Sequence, residues 1–283
     1  TGGESLNYIN GMEQIGDSLF ALYSNKLYEI GLTDNSTSPD NWTSINTNTN
    51  GFGTGSDILG VTYGNNVYVA VGEDGKISTS PDGTSDTWTA QTSGTTKDFQ
   101  GVAYGNNTFV AVGNDGKIFT SDDNATTWTP RTSGVNKKLF GVTFLTDKFV
   151  AVGNTGTILT SPDGTTWTAQ TSGTTVQLDS VTTGNDTFVV VCASGTILTS
   201  PDGTTWTAKT SGTTNDLEGV TYGNGLFVAV GNTNFYTSPD GTTWTEQTSG
   251  TANQFLQVIF GNNTFITTGN NGTILTSQDG STW

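Results

Sequence analysis

The chain has 283 residues, with nine Lys plus Arg against 25 Asp plus Glu, giving a net charge of −16 and a pI near 4.1. That balance excludes the basic stripe that neutralises phosphates, so nucleic acid is not an expected partner, and it disfavours anionic membrane surfaces. With no histidine, one arginine (Arg131) and one cysteine (Cys192), the chain also lacks His-based triads, most zinc sites and any intramolecular disulfide.

The opening residues, "TGGES", are neither an initiator methionine nor a secretory signal, so the sequence is expected to be part of a larger polypeptide or assembly. No apolar stretch approaches the length of a membrane-spanning helix, and membrane insertion is not expected. The first patterned segment, "GMEQIGDSLFALYSNKLYEIGLTDNSTSPDNW", ends at Trp42 with a lengthened loop around Asn35. Glycine-rich "NTNTNGFGTGS" (46–56) then reads as a loosened link. Beyond it a punctuated motif recurs: "TSPDGTSDTWT" at Trp88, "TSDDNATTWT" at Trp128, and "TSPDGTTWT" at Trp167, Trp206 and Trp244. The last copy is "TSQDGSTW" at Trp283. All seven tryptophans belong to this series, at intervals of 38 to 46 residues. A fixed period near 40 marks a repeat architecture.

The unit from Leu217 to Ala252 shows its internal plan. "LEGVTYG" alternates as a strand with one buried face, and "LFVAVG" is a short apolar run, as in a strand covered on both faces. "NFYTS" follows, then the Pro-Asp-Gly turn and "TWTEQTS", each piece bounded by Gly, Asn, Asp or Pro. A four-stranded antiparallel sheet of this kind needs cover on both faces, and radial stacking supplies it. The sequence predicts an all-β, single-domain (1–283), seven-bladed β-propeller of four-stranded blades, about 39 residues each. The blades are placed near 6–50, 57–96, 97–136, 137–175, 176–214, 215–252 and 253–283. Because the sequence stops at Trp283, the last blade is expected to have an incomplete outer strand, with 1–10 ("TGGESLNYIN") not obviously replacing it.

At the turn, "SPDGTTW" resembles a shortened Asp-box, the Ser-x-Asp-x-Gly-x-x-Trp hairpin of sialidase-type and photosystem-assembly-factor-type (BNR-like) propellers. Here Asp and Gly are adjacent, as in Asp163-Gly164, one residue short of that pattern. The resemblance covers nearly the whole chain as a repeat and implies architecture: in that family the box joins the two outer strands, away from the usual binding face. The residues read the same way, since an Asp side chain can lock the turn while the tryptophan packs over the blade edge. A structural role is therefore expected of the tryptophans.

Catalysis is not expected. Sialidase-like enzymes need an arginine cluster, and Arg131 stands alone. A paired-carboxylate glycosidase is the remote alternative, but most acids fall at repeated turn positions: Asp82, Asp163, Asp202, Asp240 and Asp279. "GEDGK" and "GNDGK" lack calcium-loop spacing, so neither metal nor cofactor is expected. Cys192 reads as a small buried thiol with no base to activate it.

Loops on a rigid scaffold remain as the means of recognition. The copies diverge most where each outer strand connects to the next inner strand, which selects Lys97, Asp98, Phe99, Lys137, Lys138, Gln177, Asn215, Asp216 and Gln254 as candidate contacts. Lys97, Lys137 and Lys138 form the one cluster of basic residues, suited to an acidic group on a partner. The expected role is a non-catalytic module binding a glycan or protein surface, in an extracellular, cell-surface or virion-surface setting, as in similar bacterial and phage structural proteins. The alternative is an intracellular or organellar scaffold of the photosystem-assembly-factor type.

Overall fold

In the computed structural model, the repeat folds into antiparallel meanders arranged round an axis. The structure describes 9–15, 18–23, 26–31 and 43–45 as backbone strands, Phe52, and 56–84, 87–261 and 263–283. Blade one comprises β1 (Ile9–Ile15), β2 (Ser18–Tyr23), β3 (Lys26–Gly31) and β4 (Thr43–Ile45). Blade two comprises β5 (Ile58–Gly64), β6 (Val67–Gly72), β7 (Ile77–Ser80) and β8 (Thr89–Gln91). Blade three has β9 (Phe99–Gly105), β10 (Thr108–Gly113), β11 (Ile118–Ser121) and β12 (Thr129–Arg131). Blade four has β13 (Leu139–Leu145), β14 (Lys148–Gly153), β15 (Thr157–Ser161) and β16 (Thr168–Gln170). Blade five has β17 (Leu178–Gly184), β18 (Thr187–Cys192), β19 (Thr196–Ser200) and β20 (Thr207–Thr210). Blade six has β21 (Gly219–Gly223), β22 (Leu226–Gly231), β23 (Asn234–Ser238) and β24 (Thr245–Thr248). A final sheet follows, with β25 (Phe255–Gly261), β26 (Thr264–Gly269) and β27 (Thr273–Ser277).

The sheet topology corrects the expectation of seven four-stranded blades: six blades carry four strands, and the C-terminal sheet carries three. Trp283 occupies the position that immediately precedes the outer strand in the other described blades, and among the described residues β27 pairs with β26 alone. Residues 1–8, part of the segment set against that edge in the sequence reading, lie outside the described residues, as does Trp42 with its turn. Inner strands neighbour one another in chain order, and β25 lies beside β1, which closes the ring.

The second strand of each blade is buried because its two faces meet different blades. Phe227 and Ala229 pack on Val189 and Val191 of blade five, whereas Val228 and Val230 pack on Phe255 and Phe265 of the C-terminal sheet. Each such Val or Phe contributes about 1.5–3 kcal/mol by leaving water. Asn106 and Asn107, both at positive φ (46° and 57°), make the tight turn between β9 and β10. Antiparallel order then puts the Ser-x-Asp turns that precede the outer strands at one end of the barrel. The other end gathers the connections between blades and the single 3-10 turns that follow the second strands, such as Asn114–Gly116.

The Ser-x-Asp turn is a hydrogen-bonded unit. Asp163 Oδ1 accepts from the amides of Thr165 (2.8 Å) and Thr166 (3.1 Å) and from Ser161 Oγ (3.1 Å). Trp167 Nε1 donates to the Gly164 carbonyl at 2.8 Å, and its ring lies 6.5 Å from that of Phe149. Gly164 itself sits over the preceding blade: a Cβ there would fall 3.0 Å from Val110 Cγ2. Gly241 stands in the same relation to Val189, and Gly280 to Val228. Each turn therefore anchors its own tryptophan while pressing on the blade before it.

Candidate functional site

A central cavity of about 630 Å³ is bounded by the inner strands, whose first residues lie at the end of the barrel away from the Ser-x-Asp turns. Its mouth is shaped by a repeated irregularity. In blade two Ile58 pairs with Gly72 and Gly60 with Val71, so Leu59 is an extra, bulged residue. The same slip isolates Gln100, Phe140, Asp179 and Leu256 in their strands. Glu218 holds this place in blade six, its amide donating to the Val230 carbonyl at 2.8 Å. A bulge bends its strand and re-aims a side chain, and here all six residues line the cavity, half-buried. The glycines that follow keep the strands close: a Cβ on Gly219 would lie 3.0 Å from Gln257 Cα.

The mouth is chemically asymmetric. Leu256, Leu59 and Phe140 make it apolar on one part, and Asp179 with Glu218 make it acidic on another. Burial pushes the Asp179 carboxyl up to about 7, with the charges of Glu218 and Asp216 adding to the effect. Burial and then Asp216 raise Glu218 as well. Gln177 donates its amide to Asp179 Oδ1, and Gln254 Nε2 donates to Glu218 Oε1 at 3.3 Å. Cys192, fully buried behind this region, has its thiol pushed up by burial and by Asp179.

Of the loop residues singled out from sequence, Gln177 and Gln254 join this mouth as partners of the acids. Asp98 and Asp216 brace neighbouring turns. Asp98 accepts from the Asp74 amide (3.0 Å) and from Asn114 Nδ2 (2.8 Å), and Asp216 accepts from the Ser194 amide (2.7 Å). Phe99 is fully buried between blades two and three, packed edge-on to Phe119 at 5.4 Å, and offers nothing to a partner. Asn215 is exposed, its amide bonded to Thr213 Oγ1 at 3.0 Å.

The three lysines prove different from one another. Lys97 is exposed and ion-paired to Asp115 at 2.7 Å, whose hydrogen bond and charge raise its pKa. Lys138 is half-buried, with Nζ 4.9 Å from the Phe140 ring centre, and burial lowers its pKa. Lys137 alone is exposed and makes no ion pair among the described residues.

The acid pair Asp179 and Glu218 escapes a reading centred on the loops. Its signal lies in the inner strands, where "LDSV" and "LEGV" carry acids at the register held by "LGV", "QGV" and "FGV" in blades two to four. Among the described residues no group of three or more His, Cys, Asp or Glu side chains is arranged to hold a metal ion.

The fold and this axial mouth define a β-propeller. The chain is similar in structure to YCF48 bound to D1 peptide, with a TM-score of 0.73 and 17% identity over 96% of this chain and 93% of that one. It is similar also to YCF48 from Cyanidioschyzon merolae (TM-score 0.72, 14% identity, 97% and 96% covered). The computationally designed Ika8 protein gives a TM-score of 0.65 and 12% identity over 97% and 99%. No protein-family model matches the chain, and no curated protein matches it in sequence.

Proposed function

We propose that this propeller is a non-catalytic scaffold that holds a segment of a protein partner across the cavity mouth. The observation that carries the reading is the bulge ring. One backbone device aims one residue from each of blades two to six and from the C-terminal sheet at the same opening, and those residues differ from copy to copy: Leu59, Gln100, Phe140, Asp179, Glu218 and Leu256. A mouth with an apolar part and an acidic part suits a peptide segment, which offers apolar and hydrogen-bonding groups at fixed spacing. The structural neighbour bound to a peptide supports a protein partner over a glycan.

Catalysis fits the mouth less well. Acid–base pairs work when their environments drive the two pKa values apart, whereas Asp179 and Glu218 are both driven upward.

The test is a selection from a random peptide display library, run beside a glycan array. Selected peptides should lose at least about tenfold in affinity against Phe140→Ala and against Asp179→Asn, as loss of a central contact does. Saturable glycan binding with no enriched peptide would replace this reading with a lectin.

A further inference from the structure

On the same end of the barrel, beside blade three, lies an open groove of about 720 Å³ bounded by Lys117, Arg131 and Lys137. Each cation stands where the other blades, read in register, carry a defined residue. Lys117 corresponds to Thr157, Thr196 and Thr273, with Lys76 in blade two. Arg131 corresponds to Gln91, Gln170 and Gln247, with Lys209 in blade five. Lys137 corresponds to Val176, Asn215 and Asn253, with Lys97 in blade two. Only blade three has a cation at all three positions.

The hydrogen bond that Arg131 makes within its blade does not require a charge. Gln91 and Gln170 each donate from Nε2 to the threonine across the strand pair, Thr79 and Thr160, at 2.8 Å. Arg131 makes the same bond from Nε to Thr120 Oγ1, also at 2.8 Å. The guanidinium is thus oriented by a bond that glutamine supplies equally well, and its terminal nitrogens make no hydrogen bond among the described residues.

The neighbouring groove, about 630 Å³, is bounded by Lys76 and Lys97 and shares Lys117 with the blade-three groove, but Lys76 and Lys97 both have acidic partners. Lys97 pairs with Asp115, and Lys76 lies 4.0 Å from Asp74 while donating to the Phe52 carbonyl and to Ser56 Oγ. Asp115 also edges the blade-three groove, but it is the partner of Lys97. Among the described residues, Lys117, Arg131 and Lys137 have no ion pair. Three unpaired cations are thus gathered on a chain of net charge −16.

We propose that this groove is a docking site for an acidic stretch of the protein partner, with Arg131 gripping a carboxylate through its fork and Lys117 and Lys137 flanking it. Charge complementarity names the occupant, because an oriented guanidinium matches a carboxylate in two parallel bonds. The wall residues Thr132, Asn136 and Thr157 supply neutral hydroxyl and amide groups along the same groove. Lys138 follows Lys137 in the chain and lies over the ring of Phe140, which lines the cavity mouth, so one extended segment can reach both. The inference rests on the scaffold reading and specifies the sequence that such a partner carries.

The experiment uses the full chain and a fluorescein-labelled peptide, Gly-Ser-Glu-Asp-Glu-Asp-Gly-Ser, followed by anisotropy at low and high salt. The variant is Lys117→Thr/Arg131→Gln/Lys137→Asn, in which every substitution installs the residue that sister blades already carry. Arg131→Gln alone serves as a second, milder variant. Lys209→Gln is the control at the blade-five counterpart. The expected result is at least about tenfold weaker binding by the triple variant with a shallower salt dependence, while Lys209→Gln behaves as wild type.

Equal affinity of wild type and triple variant overturns the groove. So does preferential, triple-sensitive binding of a heparin-derived oligosaccharide, which would make it a glycan site. Failure of the scaffold reading looks different: the acidic peptide binds at the groove, yet no library peptide depends on Phe140 or Asp179.

Discussion

A Cβ built on Gly105 would lie 2.1 Å from Cγ of Phe144, so the last residue of one inner strand is a seat for the aromatic ring of the next blade. Gly64 receives Tyr104 in the same way, Gly184 receives Tyr222, and Gly223 receives Phe260. Blade four departs from the series, ending its inner strand with Leu145, and blade five carries Thr183 at the register of the missing ring. Large and small residues have exchanged sides at this one junction.

This pairing predicts a coupled stability effect. Gly105→Ala should cost about 1–3 kcal/mol by overpacking. In the Phe144→Thr background, which copies the blade-five solution, the same change should cost much less. Urea denaturation of the four proteins in a double-mutant cycle gives the coupling. Additive costs would show that the ring and the glycine do not constrain each other.

The turn tryptophans predict a second result. Trp167→Ala should destabilise by about 3 kcal/mol, as truncation of a large packed ring does, without changing the affinity of the folded protein for a selected peptide. Gly164→Ala should be costly too, because φ is +76° and the new methyl meets Val110. Thermal melts and peptide titrations on the same samples separate the two roles. Lost binding at an unchanged melting temperature would assign the tryptophan to the partner.

The acids predict a stability maximum in mildly acidic solution. Asp179 is raised from 3.8 to about 7 in the folded chain, so its folded form keeps a proton that the unfolded form releases. Stability from this group is present below its unfolded value and is lost as pH rises towards about 7. The aspartates of the turns before the outer strands act in the opposite sense. The Thr165 hydroxyl and amide hold Asp163 down to about 2, and the amides of Thr205 and Thr204 hold Asp202 lower still. Their contribution is present above 3.8 and is lost as pH falls through the folded value. Melting temperature followed from acid to neutral pH should rise and then decline, and Asp179→Asn should flatten the decline alone.

The sequence makes the repeat, the strand order and the turns legible, because each is carried by residues near one another in the chain. The tryptophan series and "LFVAVG" runs place the strands, and Asp163 can be read as a turn lock from its neighbours. What escapes depends on pairings across the chain. Lys97 looks free until Asp115, in another loop, is beside it. Phe99 looks like a loop residue until its strand is seen to start there. The acids at Asp179 and Glu218 become a pair only when adjacent inner strands are bulged towards one opening. Arg131 has meaning because Gln170 makes the same bond, which needs both structures of the repeat unit.

The glycines of the Ser-x-Asp turns give the ring a sense of direction. Gly164 presses on blade three, Gly203 on blade four, Gly241 on blade five and Gly280 on blade six, always on the predecessor. During synthesis from the N-terminus blades three to six are each clamped only when the successor has emerged, so each of them waits one repeat for its lock. Under mechanical load the ring is polar for the same reason: force on the C-terminal end strips clasps one at a time, like opening a zipper from its slider. Force on blade three from the other side must first pull it from under the clasp of blade four.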